Sequence, residues 1–138
     1  MEKRDLLKEE FEQLGKVLGE IFSNFMKLKE KGNASISINT SNENLKKELD
    51  LNISEILELN KQKLKEYLKE KKINLENIEI LSKYFEEVGV LNLKTNKVEA
   101  EKYLLKATEL IEIFEEQTRR ISFEFIERKN RIEKLKRI

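Results

Sequence analysis

KVEAEKYLLKATELIEIFEEQTRRISFEFIERKNRIEKL, residues 97–135, carries the longest unbroken periodicity in the chain. Leu104, Ala107, Ile111, Phe114, Thr118, Ile121, Phe125, Ile132 and Leu135 fall on one series of alternating three- and four-residue steps, with Arg128 standing where an apolar residue is expected. Such a series is one face of a helix. Asn96 precedes it and lies three residues before Glu99, the spacing of a helix start. One long helix is therefore predicted over 97–135, and its last turns, where Arg128 weakens the inward face, are expected to project beyond the core.

The amino-terminal end repeats the pattern. Leu7, Phe11, Leu14, Leu18, Ile21, Phe25 and Leu28 share one face, which predicts a helix over about 3–31. Lys27, Lys29 and Lys31 suit the negative end of its dipole, and Gly32 suits its carboxyl cap. The uncharged stretch GNASISINTSN, residues 32–42, then reads as a loop with room for a short extended piece at Ile36 and Ile38. Thr40 and Glu43 have capping-box spacing, so a second helix is expected from there. Asn52, Asn60 and Asn74 divide the middle of the chain, because asparagine is poor inside helices and good at their starts. The predicted helices cover about 43–51, 53–59, 61–72 and 75–90, with Gly89 ending the last. The expectation is an all-α single domain over 1–138, a compact bundle of about five or six helices with long first and last members.

Composition supports helix and removes much chemistry. Nearly every one of the 27 acidic residues is the helix-favouring glutamate, Asp5 and Asp50 being the only aspartates, and proline is absent. With no cysteine there are no disulfides, thiolate nucleophiles or sulfur-ligated metals. With no histidine, the usual general base near neutral pH and the commonest metal ligand are missing too. Glutamate pairs such as Glu9/Glu10, Glu86/Glu87 and Glu115/Glu116 point about 100° apart on a helix and do not converge as an acid/base pair must. Neither an enzyme nor a cofactor or metal site is expected. MEKRDLLKEE, residues 1–10, lacks the apolar stretch of a signal peptide, and no run has the ~20 apolar residues of a membrane span, so a cytoplasmic protein is expected.

Two features suggest contact with a partner. Gly15 and Gly19 lie one turn apart in a helix-favouring segment, with Phe22 close by, and make a flat strip against which another helix could pack. Phe123 and Phe125 are two residues apart and cannot share one narrow helix face. With Ile121 and Ile126 they form a belt wider than a single neighbour covers, a candidate for binding a protein or a second copy.

Charge is unevenly spread although the total is only +1. Residues 73–118 hold five lysines and ten glutamates, whereas 119–138 holds eight basic residues and three glutamates. Arg119, Arg120, Arg128, Lys129, Arg131, Lys134 and Lys136 could neutralise phosphates, which makes a nucleic-acid-associated role the alternative. They could equally dock on the acidic middle of the same chain or of a second copy, or favour the negative end of a long helix dipole.

LENIEILSKYFEEVG (75–89) and VEAEKYLLKATELIEIFEEQ (98–117) together resemble a single tetratricopeptide-type helical hairpin. Ala100, Leu104 and Ala107 match the small, large and small positions of such a repeat's second helix, while the connection over 89–97 is longer than its tight turn. More loosely, EQLGKVLGEIF (12–22), ELDLNISEILEL (48–59), this hairpin and the basic end resemble the layout of short bacterial helical proteins that carry no assigned activity. The first resemblance implies a protein-interaction or scaffold module, with self-association through the glycine strip or the belt as one form of it.

Overall fold

The computed structural model describes the backbone of residues 3–137 and the side chains of residues 8–137. Among these residues there are seven α-helices and no strand. They are α1 (Lys3–Glu30), α2 (Ala34–Leu49), α3 (Ile53–Glu58), α4 (Lys61–Glu70), α5 (Leu75–Asn92), α6 (Lys97–Thr118) and α7 (Phe123–Lys136). The described residues are all-helical, as the composition of the chain predicts. It forms two compact units, one ending at Asn77 and one beginning at Ile78, so α5 starts in the first and runs on into the second.

In the first unit α1 and α2 form a helical hairpin. Leu18, Ile21 and Phe25 of the predicted α1 stripe are buried, Phe11, Leu14 and Leu28 are half-buried, and the side chain of Leu7 lies outside the described residues. Each fully buried aliphatic or aromatic side chain contributes roughly 1.5 to 3 kcal/mol. Gly32 closes α1 in the left-handed region at φ 81°. Residues 34–42, expected as a loop, are instead the first half of α2, and Thr40 and Glu43 lie inside that helix. The small hydroxyl residues form its packing stripe: Ser37, Ser41 and Leu45, at i, i+4 and i+8, are all buried. The Ser37 hydroxyl donates to the Ala34 carbonyl at 2.7 Å, so its burial leaves no unmet polar group. Tertiary packing thus overrides the weak helix propensity of serine and asparagine.

The asparagine starts are as predicted. Asn52, Asn60, Asn74 and Asn96 each accept, through Oδ1, a backbone N–H three residues on, at 3.1, 2.8, 3.1 and 3.2 Å. These caps open α3, α4, α5 and α6.

The second unit corrects two further expectations. Gly89 does not end a helix, because α5 continues through it to Asn92. A Cβ at Gly89 would lie 2.7 Å from the Leu104 side chain and 3.3 Å from the Ala100 carbonyl, so this glycine permits the close approach of α6. The long last helix is in fact two helices. Arg119 adopts a left-handed conformation at φ 56° and ends α6, and Ser122 starts α7 by accepting the Phe125 N–H at 3.1 Å. At the break the Thr118 hydroxyl donates to the Phe114 carbonyl (2.9 Å) and accepts the Arg120 N–H (3.3 Å). α7 consequently packs inward: Phe125, Arg128 and Ile132, at i, i+3 and i+7, are buried.

Candidate functional site

The turn between α6 and α7 places the predicted belt on two opposite faces. Phe125 points inward, 7% exposed, with its ring centroid 5.0 Å from that of Phe114 at 69°. This edge-to-face geometry is favourable for two aromatic rings. Ile121, Phe123 and Ile126 point outward, at 77%, 85% and 39% exposure. Phe123 is the first residue of α7 and Ile126 lies one turn on, so the two share an outer face, with Ile121 in the turn before them. Arg119 and Arg120, both exposed, flank this apolar corner.

The basic residues beyond the corner are largely engaged with their own unit. Arg128 occupies the inward stripe because a carboxylate meets it there: its Nε donates to Glu86 Oε1 at 3.0 Å. Arg131 donates to Glu86 Oε2 from Nε and Nη2 at 3.1 and 2.6 Å, and Lys129 Nζ donates to Glu115 Oε1 at 2.6 Å. Glu86 and Glu115 are each about nine-tenths buried by side chain, which strengthens such contacts relative to surface pairs. The basic end therefore docks on the acidic part of its own chain. Among the described residues, Nη1 and Nη2 of Arg128 and Oε2 of Glu115 have no hydrogen-bond partner, a cost within the α7 contact. Lys134 is exposed, and Lys136 lies 3.8 Å from Glu133.

The glycine strip divides as well. A Cβ at Gly15 would lie 3.1 Å from Asn77 Oδ1, so Gly15 accommodates that side chain, whereas Gly19 has nothing within 4 Å. Phe22 is half-buried, with its ring 6.5 Å from that of Phe25.

An open groove of about 980 Å³ between α1 and the end of α2 is edged by Glu9, Glu12, Glu48 and Asp50 over Leu14 and Val17. Asp50 is held by Lys71 at 2.7 Å and Lys46 at 3.2 Å. The Lys71 hydrogen bond, and next that of Lys46, hold the Asp50 carboxyl below the usual carboxylate range, and the same bond raises Lys71. A carboxylate so stabilised in its charged form is a poor proton acceptor. In α6 Lys106 and Glu109 form a further buried ion pair. Among the described residues no group of three or more acidic side chains could hold a metal ion, and no helix is long and apolar enough to cross a membrane.

What the sequence did not reveal is that α7 docks on Glu86, Glu115 and the Phe114 ring in particular. Periodicity shows which face a residue occupies and says nothing of which distant carboxylate awaits it. No family model matches the chain, and comparisons with curated proteins and with solved structures find no similar one.

Proposed function

We propose that the chain is a non-enzymatic protein-interaction module that binds through the α6–α7 corner, with Phe123 and Ile121 as apolar anchors, Ile126 beside them and Arg119 and Arg120 at the rim. The carrying observation is the 85% exposure of Phe123. A phenylalanine that folding leaves in water gains its burial energy only on association, and aromatic and arginine side chains dominate the energetics of such contacts. Under this reading the tetratricopeptide-like hairpin expected over residues 75–117 is the scaffold that holds α7. The nucleic-acid alternative is disfavoured, because Arg128, Lys129 and Arg131 already answer internal carboxylates.

A photo-activated cross-linking residue placed at 123, and separately at the exposed position 101, tests this in cells of the native host. Covalent protein adducts are expected from position 123 and not from 101. Equal yields at the two positions, or none at either, would overturn the reading.

A further inference from the structure

The apolar series over 97–135 passes through the break between α6 and α7 without losing phase, since Thr118, Ile121 and Phe125 keep its steps of three and four. Residues 119–122 are Arg, Arg, Ile and Ser, none of them a helix breaker, and the left-handed position is filled by Arg119 where glycine is the usual occupant. The left-handed backbone at Arg119 is thus an unfavourable step in the turn, which the Ser122 cap and the Thr118 hydroxyl bonds support locally. Beside these, what holds it is the docking of α7 on α5 and α6 through Phe125 on Phe114, Arg128 and Arg131 on Glu86, and Lys129 on Glu115. None of these contacts requires that both partners belong to the same copy.

We propose that α7 exchanges between two copies of this chain. Residues 119–122 straighten, α6 and α7 join into one helix, and each α7 makes on the second copy the contacts it makes here on its own. Straightening relieves the left-handed strain at Arg119 and adds helical hydrogen bonds across the former turn. Ile121 rejoins the apolar stripe, while Phe123 and Ile126 lie where the two long helices cross at the two-fold axis. The exposed apolar corner is therefore covered by the same residues of the other copy, an isologous contact that closes at two. This deepens the proposed function and rests on it, naming the partner of the corner as the chain itself. Because the docking contacts are equivalent in both forms, protein concentration and the hinge residue set the balance.

Sizing by light scattering, after warm equilibration at concentrations from micromolar to millimolar, reads the exchange. The wild-type chain is expected to shift from monomer to dimer. Arg119→Ala, which disfavours the left-handed turn, is expected to raise the dimer fraction. Arg119→Gly favours the turn and weakens the straight helix, and should lower the association constant by about a hundredfold or more. The chain has no cysteine, so Glu115→Cys with Lys129→Cys supplies a single pair for a short bis-maleimide. Links within the isolated dimer are expected to join two chains, and links in the monomer to stay within one. A dimer linked only within single chains would overturn the exchange while leaving the corner as the contact surface. A monomer at every concentration, with no response to either Arg119 substitution, would also overturn it. The cross-linking residue at 123 then separates the two readings: adducts with a second copy support both, adducts only with a different protein preserve the corner as an interface and overturn the exchange, and no adduct at all removes both.

Discussion

Gly19 and Gly89 both stand inside helices, and space alone separates what a methyl group does at each. At Gly19 nothing lies within 4 Å of the added carbon, so Gly19→Ala is expected to stabilise the chain by about 0.5 to 1 kcal/mol through helix propensity. At Gly89 the carbon would be driven into the Leu104 side chain, and Gly89→Ala is expected to destabilise by about 1 to 3 kcal/mol through overpacking. Urea unfolding followed by circular dichroism checks both, and a loss at position 19 as large as that at 89 would contradict the packing argument. Asp50 offers a test of charge. Its carboxyl is held below its ordinary value of 3.8 by the Lys71 and Lys46 hydrogen bonds, so the unfolded chain takes up its proton first. The stability it contributes is complete above pH 3.8 and is lost as pH falls through the lowered folded value. The same bond raises Lys71 above 10.5, so that contribution disappears as pH rises through the raised value. Asp50→Asn is expected to lower stability at pH 7 and to flatten its acid limb, which a series of melting temperatures from pH 2 to 7 measures.

At the scale of helices, the outcome depended on whether a signal was local. Asn52, Asn60, Asn74 and Asn96 act on backbone three residues away, and so four helix starts were readable from spacing. Residues 34–42 were not, because what makes them helical is the closeness that Ser37 and Ser41 allow between α1 and α2, a contact no local pattern encodes. The break after Thr118 was hidden because the apolar periodicity runs through it in phase and outweighs the one local cue, the Ser122 cap on the Phe125 N–H. The belt itself was readable, since Phe123 and Phe125 two apart had to diverge and Phe125 alone of the two lies on the apolar stripe that meets Phe114. Arg128 tests this tertiary control. Its side chain is 5% exposed and its partner Glu86 10%, so Arg128→Ala, which removes one charged donor while Arg131 still holds Glu86, is expected to cost about 1.5 to 3 kcal/mol. The loss should fall first on α7, as faster amide exchange over 123–136 than over α5. Unchanged protection there would show that the ion pair does not hold the helix.

For the molecule as a whole, the question is what its polarised charge does when the sum is only +1. A helix of free arginines beside an acidic body would bind any polyanion, with affinity falling steeply as salt rises. Here Arg128, Lys129 and Arg131 answer Glu86 and Glu115, and binding a phosphate through them would mean surrendering contacts to carboxylates that are about nine-tenths buried. Fluorescence anisotropy with a 20-base-pair duplex at 50 mM salt is therefore expected to show no saturation at about 10 μM protein, weaker than the specific binding of dedicated readers. Neutralising the acceptors should reverse this. Glu86→Gln with Glu115→Gln leaves Arg128, Lys129 and Arg131 without charged partners and adds two to the net charge, so salt-sensitive binding of the duplex should appear or strengthen. Tight, salt-dependent binding by the unaltered chain would instead mean that α7 leaves its carboxylates readily, and the basic helix rather than the apolar corner would then be the functional surface.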